Sequence, residues 1–427
     1  MKGPRPFGGP RGQTRVAIVG GARTPFAKAG TAFKAHSAQG LAIHSVDGLL
    51  EKQHLDPASI DELAYGIVAV DPRVPHLARE VVLCGPLPPQ VRAFTLTDNC
   101  ITGTSAIRLI HDSIVAGRAE VGIAGGVESL SNPALLFNER ASRIFMDAAT
   151  AKAATERFRQ FMKLRPRDFW PAAPSVAEPS TGLSMGEHTE LMVKQWEVPR
   201  GEQDEIAYRS HMNAHAATED GRLTAEIHPL DGVERDLTVR ADTTMEKLAE
   251  LPPVFDRSPT GTLTAGNSSP LTDGAASVVL MSEARAYKER REPLAFLKAF
   301  EVVGIAPKDG LLMGPGLAVP RLLRRIGLTL ADIDIVEMHE AFAGQIICNL
   351  RAWEQGWKEP AIGSVDRERM NPLGGSIAAG HPFAATGIRI VTTLANEMKR
   401  RNARYGLVSI CGAGGTASAT LLERTRS

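Results

Sequence analysis

Two stretches of the chain echo each other at nearly the same distance, and this constrains the fold more than any other feature. Leu55-Asp56-Pro57-Ala58-Ser59-Ile60-Asp61-Glu62-Leu63 parallels Leu328-Thr329-Leu330-Ala331-Asp332-Ile333-Asp334-Ile335-Val336, with Asp61 and Asp334 273 positions apart. Ile107-Arg108-Leu109-Ile110 matches Ile388-Arg389-Ile390-Val391 at a distance of 281. Self-similarity at a fixed spacing marks a duplicated unit. A chain of 427 residues is also too long for one ordinary core. If the two halves pack about a pseudo-twofold axis, two equivalent helix starts face each other across it. The second spacing carries Cys100 onto His381, a thiol onto an imidazole.

The pattern around the echoes is α/β. Val16 to Val19 is an apolar run ending in Gly20-Gly21 and predicts a buried first strand. Leu41 to Leu50 predicts a helix, Leu63 to Val70 a second strand, and Phe94 to Thr97 a third. Ile107, Ile110 and Ile114 share one helical face, and Val121 to Gly126 predicts another strand. Alternating strands and helices argue for an α/β layered fold with a largely parallel sheet. From Ser131 to Pro253 strand signals are sparse. Two charged helical segments, Ala148 to Leu164 and Gly201 to Asp220, flank a Pro-rich linker, Pro171 to Pro179. The sheet pattern returns at Asp273 to Met281 and runs from Leu294 to Leu422, with a strand at Ile333 to Met338. The expected organisation is therefore a first half from 15–130 plus 254–290, an insertion at 131–253, and a second half at 291–427. By composition the insertion reads equally as a functional cover or as solvated decoration.

Charge and cysteine usage exclude several function classes. Net charge is +1, so nothing favours nucleic acid as a partner. Cys84, Cys100, Cys348 and Cys411 lie far apart with no CxxC pair, which indicates neither a disulfide framework nor a metal site. That usage fits a reducing compartment, and a cytoplasmic location is expected. No run of about 18 apolar residues predicts a membrane span. Met1 to Thr14 is Gly/Pro-rich and is expected to be a disordered tail. Seven Lys or Arg precede the first acidic residue, Asp47, so membrane contact is peripheral at most.

Cys100 lies in Asn99-Cys100-Ile101-Thr102-Gly103-Thr104-Ser105-Ala106, between a strand and a helix. Small residues permit close backbone approach there, and the helix dipole is expected to favour the nucleophilic thiolate. Taken alone, such a Cys reads first as core packing. His381, in Gly380-His381-Pro382, stands on a glycine-permitted bend before a helix, where it can take a thiol proton. Taken alone it reads as a structural or solvated His; its echo relation to Cys100 argues otherwise. Cys411, in Cys411-Gly412-Ala413-Gly414-Gly415, ends an apolar strand. Glycines beside it free backbone N–H groups for an anionic oxygen, and a second thiol suits proton exchange with a carbon acid. A packed strand Cys is the alternative. His339, in His339-Glu340-Ala341-Phe342, is a further oxyanion-donor candidate at a strand end. Cys84 and Cys348 read as packing residues.

Taken in order, these motifs resemble those of the thiolase family, from about Arg15 to Leu422. Gly21-Ala22-Arg23-Thr24-Pro25-Phe26 is similar to its N-terminal signature, and Gly125-Gly126-Val127-Glu128-Ser129 to the turn closing the nucleophile half. Ala265-Gly266-Asn267-Ser268-Ser269 resembles its coenzyme A pantetheine segment, and the His339, His381 and Cys411 motifs match its three C-terminal ones. The resemblance implies a thiolase fold: duplicated βαβαβαββ halves in a five-layer α-β-α-β-α arrangement, with an inserted, mostly helical loop domain covering CoA. It implies that Cys100 attacks a 3-ketoacyl-CoA with His381 as base, and that Cys411 protonates the departing enolate. The amides of Cys100 and Ala413 would bind one oxyanion, and His381 with a water held by His339 the other. Ala413 departs from the family's glycine at that place. Ala265, Ser269, Met185, Met313, Ala341 and Phe342 would contact CoA or substrate.

Coenzyme A is then a substrate, with no permanently bound cofactor. His339 replaces the commoner Asn. This resembles β-subunits of fatty-acid oxidation complexes, as do Arg165-Pro166-Arg167-Asp168, Pro174, Glu178, Ser184-Met185-Gly186-Glu187 and Asn371-Pro372-Leu373-Gly374-Gly375-Ser376-Ile377-Ala378. The resemblance implies a homodimer or tetramer and a possible hydratase/dehydrogenase α-subunit. Rival readings are an acetoacetyl-CoA-forming acetyltransferase, a decarboxylating ketoacyl synthase, and a silent scaffold or lipid-carrier subunit. Cys411 argues against the synthase, because loss of CO₂ generates its carbanion without a second thiol.

Overall fold

Val16, Ala17 and Ile18 have no exposed surface, and the apolar run they begin forms the central strand β1 (Val16–Arg23). The computed structural model describes residues 14–171 and 177–424. The expected tail therefore lies almost wholly outside the described residues, and the Pro-rich linker partly so. After β1 come β2 (Ala27–Lys28), α1 (Ala38–Lys52), β3 (Glu62–Gly66), α2 (Leu77–Cys84) and β4 (Arg92–Leu96). Next are α3 (Thr102–Val115), β5 (Val121–Glu128), α4 (Glu139–Thr150), α5 (Ala154–Phe161), α6 (Met185–Gln195), α7 (Arg200–Glu219) and α8 (Met245–Ala249). The chain returns to the sheet at β6 (Thr272–Ser282), followed by α9 (Glu283–Lys288) and β7 (Ala295–Gly304). The second half continues with α10 (Pro315–Ile326), β8 (Ile335–Met338), α11 (Ala343–Gln355), α12 (Ser376–Ala379), α13 (Phe383–Arg401), β9 (Tyr405–Gly412) and β10 (Thr416–Glu423).

The strand order is β4-β3-β5-β6-β1-β7-β10-β9-β8, with β2 paired to β6. The two halves meet at the β1–β7 pairing and repeat one plan. In the first, β3 runs parallel to both β4 and β5, and β6 returns antiparallel to β5. In the second, β8 runs parallel to β9, and β10 returns antiparallel. The counterpart of β4 is reduced to a single parallel bridge between Val336 and Met370.

The sequence echo has a structural cause. Asp61 accepts from the amides of Glu120 and Val121 at the start of β5, and Asp334 accepts from those of Arg404 and Tyr405 at the start of β9. In each half one carboxylate thus sets the register of a central strand.

Helices α3 and α13 are the middle layer. Ile107, Ile110 and Ile388 are wholly buried in one core, which also holds residues of β1, β5, β6 and β9. The two helices cross at glycines. A Cβ on Gly103 would lie 2.8 Å from the Ala384 oxygen, and one on Gly387 would lie 2.9 Å from the Thr104 nitrogen. Gly126 meets the same helix, its Cβ position being 2.1 Å from the Ala384 oxygen. The Gly-Gly lies inside β5, Gly126 beneath the α13 backbone and Gly125 against the Tyr65 ring, which lies 2.2 Å from its Cβ position.

Two compact units form. The large one carries all ten strands; the small one is Ala69–Pro75 with Pro133–Val176. The expected insertion, 131–253, thus divides between the two units. Inside the small unit the predicted helix Ala148 to Leu164 is two helices. Ala151 is extended, and Arg157 donates to the carbonyls of Ala148 and Ala151. No Gly or Pro announces this break. Phe145 stacks between Phe137 and Phe161, and Arg140 pairs with Asp168. Between β5 and β6 the described residues contain helices and isolated bridges but no strand. No described helix is long and apolar enough to cross a membrane.

Candidate active site

Cys100 stands in the turn between β4 and α3, and the residue before it shapes that turn. Asn99 has φ +48°, a left-handed conformation that Asn tolerates better than most residues. Its Nδ2 donates to the Ala413 carbonyl at 2.9 Å, tying the turn to the end of β9. Across the α3–α13 crossing, Gly380 turns at φ +97°, and a Cβ there would lie 2.5 Å from the Thr272 methyl. That bend aims His381 at the cysteine: Nε2 lies 3.2 Å from Cys100 Sγ. His381 Nδ1 bonds Thr386 Oγ1 at 2.7 Å. With Nδ1–H donated to Thr386, Nε2 is the acceptor facing the thiol.

The electrostatics differ from the expected helix-start thiolate. The helix begins two residues past Cys100, and burial pushes the thiol up to about 12. The amides of Ala413 and of Cys100 itself act on the sulfur in the opposite sense. Burial, with Arg389 nearby, pushes His381 down to about 3. The resting pair is therefore thiol and neutral imidazole. Such a pair is suited to pass the thiol proton to Nε2 when the sulfur attacks an electrophile.

The His339 ring lies against His381, tilted by 48° with ring centroids 4.2 Å apart. Its Nδ1 bonds Ser376 Oγ at 3.0 Å, and its Nε2 is buried without a partner. Glu340 explains the neighbouring turn. Its carboxylate accepts from Ser210, Asn371 and the Ile377 amide, and so holds residues 371–377 against the end of β8. Cys411 is buried at the end of β9, close enough for the Cys100 charge to act on it. Burial, the larger cause, moves its thiol well above the usual range.

Ala413 fits its place: the left-handed residues are Gly414 and Gly415, at φ +74° and +69°. Glu178 accepts from the Gly414 amide at 2.7 Å and steadies this turn.

The remaining sequence candidates fall around this centre. Ser269 donates its amide to the Ala341 carbonyl, Ser268 bridges Phe342, and the His381 amide donates to Pro270. The 265–271 segment thus joins the two histidine turns, with Ala265 on its exposed side. Met313, Ala341, Phe342 and Cys411 belong to one apolar core, against which Met185 packs. Arg23 of the N-terminal signature is structural, held by a bidentate pair with Asp236. Cys348 is buried as expected, but Cys84 is exposed. As the last residue of α2 it faces outward, 3.9 Å from Glu80.

Sequence reasoning passes over Asn99, Ser376, Thr386 and Arg389; only Asn at a turn carries a local signal. Cys100 Sγ and one nitrogen each of His339 and His381 lie within 4.8 Å of one another, the one such group among the described residues with metal-ligand chemistry. An ion there would occupy the lone pairs that make the thiol and imidazole reactive.

Comparison with known proteins agrees with this geometry. The model of the thiolase N-terminal domain matches residues 16–284, and that of the thiolase C-terminal domain matches residues 291–424. The 3-ketoacyl-CoA thiolase of Yersinia enterocolitica is 42% identical over 422 residues, covering 96% of this chain and 97% of its own. That of Colwellia psychrerythraea is 40% identical with the same coverage. Among solved structures, the acetyl-CoA acetyltransferase of Bacillus anthracis superposes with a TM-score of 0.84 at 30% identity, over 96% of this chain and 99% of its own. Human mitochondrial 3-ketoacyl-CoA thiolase gives 0.83 at 28%, over 97% and 99%. A duplicated fold that faces a cysteine with a histidine, matched by both family models and by relatives along nearly its whole length, makes this chain a member of the thiolase family.

Proposed function

We propose that the chain cleaves 3-ketoacyl-CoA with CoA, giving acetyl-CoA and a shortened acyl-CoA, as in fatty-acid β-oxidation. The observation that carries this reading is the 3.2 Å contact between Cys100 and His381, with a second thiol, Cys411, close by. Cys100 attacks C3 of the substrate while His381 takes its proton. The C2–C3 bond then breaks, leaving an acyl-Cys100 thioester and an acetyl-CoA enolate, which Cys411 protonates at carbon. CoA takes up the acyl group in the second half-reaction. The amides of Cys100 and Ala413, both already directed at the sulfur, suit the tetrahedral oxyanion. His381 and a water held by His339 suit the enolate oxygen.

CoA is here a substrate, and its contacts are assigned to Ala265, Ser269, Met185, Met313, Ala341 and Phe342. The same reading treats residues 131–253 as the cover over CoA, between halves at 15–130 plus 254–290 and 291–427. It also takes the chain as a cytoplasmic dimer or tetramer, with a hydratase/dehydrogenase subunit as a further partner. Edge strand β4, which leaves Phe94 exposed, supports association.

The deciding experiment is a kinetic series of 3-ketoacyl-CoA substrates from C4 to C16, with intact-mass detection of acyl-Cys100. Rising kcat/KM beyond C4 supports the degradative reading. Activity confined to acetoacetyl-CoA supports the acetyltransferase, and absence of any acyl adduct defeats both.

A further inference from the structure

His381 and His339 are adjoining neutral rings whose tasks require opposite tautomers. A base toward Cys100 needs a bare Nε2, whereas a donor toward the substrate oxygen needs a protonated one. Buried beside them, and outside the roles assigned above, is Arg389. Its Nη2 donates to Ser376 Oγ at 3.1 Å, and Ser376 Oγ lies 3.0 Å from His339 Nδ1. A guanidinium has donors only, so it can meet Ser376 only by giving a proton to the hydroxyl oxygen. The hydroxyl keeps its own proton, and His339 Nδ1 is the acceptor in reach. Nδ1 is thereby the bare nitrogen, and Nε2, buried and unpartnered, carries the hydrogen.

We propose that Arg389 and Ser376 are positioning residues that fix His339 as the Nε2–H tautomer, the reverse of His381. The proposal rests on the thiolase reading only for what the Nε2–H then does, which is to donate toward the enolate oxygen through the held water. Further features of the site agree with it. Burial, followed by coupling to His381 and the charge of Arg389, keeps His339 far below its usual range, so the ring stays neutral and its tautomer matters. The clamp from Glu340 on the Ile377 amide, with Ser210 Oγ between Glu340 and the Gly375 amide, fixes where Ser376 stands. A Cβ on Gly375 would lie 2.2 Å from the Glu340 carboxyl carbon, so the turn has one packing solution.

The test uses the whole protein labelled with ¹⁵N-histidine, and the variants Ser376→Ala, Ser376→Thr and Arg389→Lys. In the wild type the His339 signals, assigned with His339→Asn, are expected to show a bare Nδ1 and a protonated Nε2. Ser376→Ala loses that bias. Carbon–carbon cleavage then falls by about tenfold or more, short of the roughly 10²-fold or greater loss when an oxyanion donor is removed outright. Exchange of labelled CoA into acyl-CoA, which passes through acyl-Cys100 without an enolate, stays within about twofold. Ser376→Thr, which keeps the hydroxyl, restores the tautomer and much of the cleavage. Arg389→Lys tests the relay's far end, and the serine variants stand if that protein does not fold. A wild-type His339 protonated at Nδ1, or equal losses of cleavage and exchange in Ser376→Ala, overturns the proposal. A wild type that catalyses neither reaction sinks the thiolase reading instead, while the nitrogen spectrum still decides the tautomer.

Discussion

The two halves share a plan and divide the chemistry unequally. Asp61 and Asp334 align β3 with β8 and β5 with β9, so Gly66 corresponds to His339 and Val127 to Cys411. The turn before the middle-layer helix offers Cys100 in the first half and His381 in the second. Under the proposed assignment one half contributes a single reactive group, and the other contributes three. The duplication fixes where backbone ends converge, at the crossing of α3 and α13, and leaves the side chains at those ends free to differ. Glu340 and Glu128 extend the contrast. The first clamps the turn bearing Ser376, while the second accepts from the Val68 amide and supports a turn without a reactive group.

Removing the first half's one reactive group breaks this comparison most severely. Cys100→Ala is expected to lower thiolysis by on the order of 10⁴-fold or more with an unchanged melting temperature. Thiolysis that survives would refute the nucleophile assignment. Cys411→Ser separates the second half's roles: CoA exchange persists, while exchange of the acetyl-CoA α-proton in D₂O slows by about 10²-fold or more. Unchanged proton exchange counts against Cys411 as the acid.

The crossing itself is tested by Gly103→Ala and Gly387→Ala. Each puts a methyl within 3 Å of the opposing backbone. Each is expected to cost about 1–3 kcal/mol in urea unfolding and to slow acylation by parting Cys100 from His381. A variant of full stability and full activity would show that the close approach is dispensable.

The pH dependence sharpens the contrast between thiol and imidazole. With Cys100 pushed up to about 12 and His381 down to about 3, neither titrates near neutrality. Iodoacetamide alkylation of Cys100 should climb about tenfold per pH unit through pH 9, and a plateau near pH 7 would mean a standing thiolate–imidazolium pair. His211, held down to about 4, and His381 bear on stability as well. Below 6.5 the unfolded chain takes up protons that these native histidines refuse. Stability is therefore full above 6.5 and falls as pH drops toward 3. Urea midpoints across that window check the sign. The smallest effect belongs to Cys84, exposed at the end of α2. A thiol reagent should label it in the native protein while Cys348 stays protected, and Cys84→Ser should change stability by no more than about 0.5 kcal/mol.

Much of this was legible in one dimension. Apolar runs gave β1, β5, β6 and β8, because a strand buried on both faces needs a continuous run. The echoes gave the duplication, because Asp61 and Asp334 do the same structural work. Cys100, His381, Cys411 and His339 stood out because glycines and strand ends surround them. The break between α4 and α5 stayed hidden, since what marks it is a side-chain contact from Arg157 to the carbonyls of Ala148 and Ala151, as did Cys84's exposure, which depends on which way one helix end faces.

The sequence by itself determined that two similar halves would meet and that a cysteine and a histidine would occupy matching turns, because repeats and glycine-bounded motifs are local. Only the tertiary structure decided the protonation of that pair, since burial among residues hundreds of positions away outweighs the local helix start. Likewise only the fold brought Arg389 and Ser376 to His339, because a hydrogen-bond relay depends on distances in space that no spacing along the chain records.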